Sequence, residues 1–309
     1  MRALAGCALA ALALSGCLNA PDSPPAPVIR VAEAVGSNDH RIFCIGSLTQ
    51  LMMEPVLWKL EDLEIINFKL PVTVYLKSPL PREYRHLTLK ELREGRSGLP
   101  ETFADPWCLD DLAAETGNRL FGYPRFRRFE GREEFLTILR NVRMRSLVRH
   151  RNDGKDAQRR GRAGAPSDIA FALMMLAITD ELGVTPQELL RRYLLEPYAL
   201  RDTSLGAAPS FPVEWSLGMR SSPSDMLKVA YVMLPHLDRA GHLMKFERVD
   251  LRHWAYYHAS SVDGGGAFLG FDTKSSRAAV VVRNIPGDMT EDGLDLMRTM
   301  YAPVHGVFR

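Results

Sequence analysis

Cysteine is scarce in this 309-residue chain, with only four, at positions 7, 17, 44 and 108. Two fall in the first 17 residues. The remaining pair, Cys44 and Cys108, is too small a set for the disulfide framework of a stapled secreted domain. Cys44 lies in an apolar run and is expected as a buried thiol. No Cys/His group has the spacing of metal ligands, and no glycine-rich stretch could cradle a phosphate, so neither a metal nor a cofactor is expected. Net charge is also small, 39 Lys and Arg against 37 Asp and Glu giving +2. Beyond the N-terminus no apolar run reaches the roughly 18 residues of a membrane-spanning helix.

The N-terminus itself is apolar. "MRALAGCALAALALSG", residues 1–16, has one arginine and then an Ala/Leu run too short to span a bilayer, the build of an export signal. Its end, "LSGC", resembles a bacterial lipobox, which implies cleavage before Cys17 and acylation there. Two or three acyl chains would anchor the chain stably to a membrane. Leu18 stands where an inner-membrane retention signal would place aspartate, so the expected address is the outer membrane, facing the periplasm or the cell surface. "NAPDSPPAPV" at 19–28 then reads as an extended proline-rich tether. Residues 29–309 are left for one large domain.

Within that domain, "RAAVVVRN" is a β-branched run ending in a turn signal, a buried strand. "SDIAFALMMLAITDELG" is apolar almost all round, a buried helix stopping at Gly183. Ser224 or Asp225 suits the N-cap of the helix over "MLKVAYVML". "TEDGLDLMRTMYAP" is amphipathic, with Thr290 as its cap, and should pack on a sheet. These elements predict an α/β (α+β) fold: an antiparallel sheet flanked by helices, plus a helical lobe over roughly 60–235.

Five stretches fix the identity of that fold. They are "FCIGSLTQLMMEPVLWKLEDLEIINFKLPVTVYL", "LTLKELREGRSGLPE", "ELGVTPQELLRRYLLEPYALRDTSLG", "SSPSDMLKVAYVML" and "YYHASSVDGGGAFLGFDTKSSRAAVVVRN". In this order the chain resembles the serine β-lactamase and penicillin-binding protein family, with its class C β-lactamases, D-alanyl-D-alanine carboxypeptidases and esterases. The last stretch matches a pair of antiparallel strands there. The resemblance implies a β-lactamase/transpeptidase-like fold, here trimmed before the nucleophile to "VIRVAEAVGSNDHRI". It also implies a cleft between sheet and lobe that takes a peptidoglycan-derived or acyl ligand.

By the same resemblance Ser47 holds the nucleophile position, at a helix start where free N–H groups favour negative charge. The family's lysine base three residues on is replaced by Gln50, whose amide is not a base. Its Tyr-x-Asn motif falls on Pro166-Ser167-Asp168, so Pro166 replaces tyrosine and Asp168 replaces asparagine. Its Lys/His-x-Gly motif reads His258-Ala259-Ser260, and the backbone N–H groups of Ser47 and Ser261 would form the oxyanion hole. The family uses this position mainly to bind anions; His258 is expected as a packed or surface side chain, with a Ser47–His258 pair as the sharper alternative. The missing lysine, tyrosine and glycine predict a catalytically degenerate binding or scaffolding protein; the alternative is an active serine hydrolase using Ser47.

Charge is unevenly spread. Between Arg119 and Arg162 there are 14 Arg and Lys against 5 Asp and Glu, a net of +9 (14 − 5), leaving −7 for the rest (2 − 9). This basic insertion, 119–165, has helical periodicity in "EEFLTILRNVRMRSLV". It reads as a solvated arginine-rich face, or as a contact for anionic lipid or an acidic partner. An exported chain does not meet nucleic acid, which is therefore excluded as a partner.

Overall fold

The computed structural model describes residues 29–32, 39–99, 132–141, 167–205, 213–250, 252–262, 265–284 and 287–301. Cys17, the leader and tether, Cys108, Pro166 and all of the basic insertion except 132–141 lie outside the described residues.

The main sheet has five antiparallel strands in the order β1 (Ile29–Ala32), β8 (Arg277–Arg283), β7 (Gly265–Asp272), β6 (Trp254–Val262) and β5 (Lys245–Arg248). β8 is the "RAAVVVR" run, buried from Ala278 to Val282, and β7 is buried along its whole length, so both strands are apolar on two faces. The sequence matched a pair of strands over this stretch; β6, β7 and β8 make three. β1 pairs with β8 through Ile29 and Val282, so the short segment before the nucleophile still closes one sheet edge.

Each sheet face has its own cover. On one, Tyr257, Phe268, Ala279 and Val281 pack against the C-terminal helix Thr290–Tyr301 through Leu294 and Met297. On the other, Leu269, Phe271, Val280 and Val282 pack against helix α1 (Leu48–Asp62) and the helix Pro223–Met233. Beyond α1 lies the lobe, centred on the buried helix Asp168–Leu182. That helix ends at Gly183, whose φ of +65° makes it a left-handed cap. A small sheet, β2 (Phe43–Cys44), β4 (Met219–Ser221) and β3 (Ser204–Leu205), joins the two layers. The helix Arg132–Asn141 is the described part of the basic insertion. It buries Phe135, Leu136 and Leu139, and Arg132 donates to Asp180 (2.7 Å) and to Ser78 (2.6 Å).

Two helix starts differ from expectation. The Pro223–Met233 helix is capped by Ser222, whose hydroxyl accepts from Asp225 N–H at 3.2 Å, with Pro223 in the first turn; Ser224 and Asp225 lie inside it. Proline at the first helical position, where no N–H is needed, moves the start forward. At the C-terminal helix, Thr290 is already helical, and Asp288 accepts from both its N–H (2.9 Å) and its hydroxyl (2.7 Å).

The C-terminal helix approaches the sheet closely because residue 293 is glycine: a Cβ there would stand 2.2 Å from the Phe268 ring. Gly293→Ala should therefore destabilise the protein by about 1–3 kcal/mol through overpacking, outweighing the roughly 1 kcal/mol that alanine gains as a helix former. A lower urea midpoint with an unchanged m-value is the expected readout; a higher midpoint would refute the close packing.

Candidate functional site

The stretch "FCIGS" makes a sharp turn from strand to helix. β2 ends at Cys44, a buried thiol, and Gly46 adopts φ +54°, a left-handed conformation that glycine takes without strain. The turn is fastened to β4: Ile45 N–H donates to Met219 C=O (3.2 Å), and Thr49 accepts from Met219 N–H (3.0 Å) while donating to Gly46 C=O (2.6 Å). Ser47 follows as the N-cap of α1, yet its side chain does not cap the helix. The first-turn N–H groups are met instead by the carbonyls of Ile45, Gly46 and Ser47, which leaves the Ser47 hydroxyl for other work.

That hydroxyl lies 2.9 Å from Nε2 of His258 on β6. The other ring nitrogen, Nδ1, is 2.6 Å from the carbonyl oxygen of Leu243. A carbonyl only accepts, so Nδ1 carries the proton and Nε2 presents a lone pair to the serine O–H. Burial pushes the His258 pKa below the ordinary histidine value; the Leu243 hydrogen bond raises it in part, and Lys245 lowers it further. The imidazole is therefore neutral at neutral pH. His258 is neither a surface residue nor a merely packed one: it is buried and aimed at Ser47.

Ser260, two residues along β6, shares the sheet face of His258, since their partners Ala267 and Leu269 both belong to the core on the α1 side. Its hydroxyl accepts from the backbone N–H of Ser47 at 2.9 Å. Ser261 lies opposite Gly266 in β7, and its hydroxyl accepts from Gly287 N–H at 3.0 Å. One turn into α1, the buried Gln50 donates from Nε2 to Asp168 Oδ1 at 2.7 Å. This contact brings Asp168 to the nucleophile helix; Ser167 caps its own helix through Ala170 N–H.

Ser47, Gln50, Asp168 and His258 thus converge from three segments far apart in sequence. Two participants escaped sequence reasoning. The Leu243 carbonyl carries no side-chain signal at all. Ser260 was visible as a replaced glycine, but its reach to the Ser47 N–H was not. Trp215 is buried, while Trp254 is half exposed and stacks on Phe246.

A sequence model of the family described as Beta-lactamase matches residues 30–301. A comparison with curated protein sequences finds no match. Among solved structures, the chain is similar to a β-lactamase/D-alanine carboxypeptidase from Yersinia pestis, at 15% identity and TM-score 0.60, covering 88% of this chain and 91% of that one. It is similar to a D-amino acid amidase from Ochrobactrum anthropi complexed with D-phenylalanine, at 15% identity and TM-score 0.61, covering 85% and 84%. A class C β-lactamase from Rhodobacter sphaeroides follows at 14% identity and TM-score 0.57, covering 84% of each chain.

The geometry around His258 sets a titration. Its midpoint, followed by histidine NMR, should fall below the roughly 6.5 of an ordinary histidine, and above it the ring should hold the Nδ1–H tautomer alone. A midpoint above 6.5, or an Nε2–H tautomer, would contradict the arrangement.

Proposed function

Since the chain belongs to the beta-lactamase family of serine hydrolases, we propose that it is an acyl-forming serine hydrolase in which His258, rather than a lysine or tyrosine, is the general base for Ser47. The 2.9 Å contact between Ser47 Oγ and an unprotonated His258 Nε2 carries this reading. Ser47 Oγ attacks the carbonyl carbon of an ester or amide as its proton passes to Nε2. Collapse of the tetrahedral intermediate expels the leaving group, which takes that proton back and leaves an acyl-serine. Water, deprotonated by the same nitrogen, then releases the acid. The Leu243 carbonyl does what a carboxylate does in a serine triad, fixing tautomer and orientation, but without adding a charge.

Gln50 takes no proton in this scheme; it ties the nucleophile helix to Asp168. Asp168, a carboxylate one hydrogen bond from the nucleophile helix, would disfavour a negatively charged substrate end and turn preference toward neutral amides and esters. D-amino acid amides, neutral acyl donors of the kind named for the amidase relative, are the class to try first. The lipobox supports acylation at Cys17 and a station on the outer membrane, where peptidoglycan-derived donors occur. The basic 119–162 segment would then meet anionic lipid or an acidic partner.

One observation favours a second reading, a site that binds but barely turns over. The oxyanion would accept from the N–H groups of Ser47 and Ser261, yet the Ser260 hydroxyl already occupies the first. A substrate carbonyl must displace it.

The test is covalent labelling. With a fluorophosphonate and a fluorescent penicillin, intact mass should show one adduct that is absent in Ser47→Ala. His258→Ala should slow labelling by about 10²–10⁴-fold, the usual worth of a general base. Ser260→Gly should speed it, by up to about the 10²–10³ that one oxyanion donor is worth. A parent chain that stays unlabelled while Ser260→Gly reacts would establish the second reading. If neither is labelled, the hydrolase proposal fails.

A further inference from the structure

Helix α1 carries a second polar group besides the nucleophile end. Seven residues after Ser47, about two helical turns on, Glu54 is completely buried. Arg93, on the short helix Leu89–Arg93, grips its carboxylate with Nε (3.2 Å to each oxygen) and Nη2 (2.5 Å). Arg93 also donates to Glu61 at 3.2 Å, and its guanidinium lies over the Phe68 ring at 5.2 Å. His242 Nε2 also approaches Glu54 Oε1, to 3.5 Å, longer than a well-formed hydrogen bond. Burial alone would raise the Glu54 pKa; Arg93 and then His242 more than offset it and bring it down to about 2. Glu54 and Arg93 are therefore both ionised throughout the working pH range.

His242 belongs to the 3-10 turn Gly241–Leu243, and the next residue supplies the carbonyl that holds His258 Nδ1. The contacts close a ring: Glu54 on α1, His242, the peptide to Leu243, the His258 imidazole, and Ser47 on α1 again. A buried ion pair contributes little net stability over an apolar replacement of the same size, so stability alone does not explain Glu54 and Arg93 behind a nucleophile.

We infer that Glu54, Arg93 and His242 are positioning residues for His258, holding the 241–243 turn at a fixed distance from the nucleophile helix so that the Leu243 carbonyl keeps the base in its productive tautomer. The inference rests on His258 being the base for Ser47. Lys245 on β5 is the charged neighbour that acts on the ring, and it is untouched by the variants below.

Glu54→Gln would leave the buried Arg93 with only the partly exposed Glu61 as counter-charge, so the decisive variant is His242→Ala, which keeps the Glu54–Arg93 pair. Phosphonylation of the full chain by a fluorophosphonate, followed against pH, should slow at least ten-fold. Its midpoint should move to lower pH, because the loosened carbonyl bond no longer raises the His258 pKa, while the thermal midpoint stays within a few degrees of the parent. Nitrogen-15 NMR should show the Nε2–H tautomer of His258 appearing. His242→Gln, whose amide can still donate to Glu54, should recover most of the rate and the single tautomer. Unchanged rate and tautomer in His242→Ala would overturn the inference, and so would a lost rate matched by a collapsed thermal midpoint that His242→Gln does not restore. If the parent itself is not phosphonylated, the hydrolase reading fails, and the tautomer measurement alone decides whether the ring of contacts positions the imidazole.

Discussion

The burial of helix α1 governs this molecule. Every residue from Leu48 to Trp58 is buried, with the sheet on one side and the lobe on the other. A helix enclosed in this way cannot rotate or slide without opening voids in a close-packed interior. The end of α1 is further fixed by the Gly46 turn and by Thr49, which bridges Gly46 and Met219. Ser47 therefore stands at a fixed point, and the group that faces its hydroxyl comes from another element, β6 of the main sheet.

In the proposed mechanism the base moves from helix to strand, which changes what the site depends on. A lysine three residues after the serine would travel with it on one rigid turn. With Gln50 there instead, the proton acceptor sits on a separate layer, and its aim is set by a backbone carbonyl in a third segment. Gln50 is not idle: bound to Asp168, it ties the nucleophile helix to the buried helix of the lobe. An amide that takes no proton here holds two elements together. Ser260 adds the opposite tendency, because its hydroxyl satisfies the N–H that a developing oxyanion would need.

Much of this was legible in the residues. The order of five short stretches identified the fold, and "FCIGS" placed the turn that carries Ser47, because a strand-to-helix turn at glycine leaves a composition signal. The buried run "RAAVVVR" and the stop at Gly183 were equally plain, since period and punctuation are local properties. Less local features stayed hidden. Whether His258 would point at Ser47 depended on strand register and on the distance between two layers, neither of which any short window records. The Leu243 carbonyl could not be read at all, because every residue has one. The helix starts at Ser222 and near Asp288 were displaced by one or two residues, where proline and competing caps shift boundaries.

The placement of nucleophile and base on facing layers has a mechanical side. The gap between Ser47 and His258 is the gap between helix and sheet, so anything that spreads those layers stretches the 2.9 Å contact directly. A lysine-based site would be indifferent to such breathing. Here the core's compressibility becomes a kinetic variable, and the reactivity of one serine would report on how tightly two slabs of apolar side chains are pressed together.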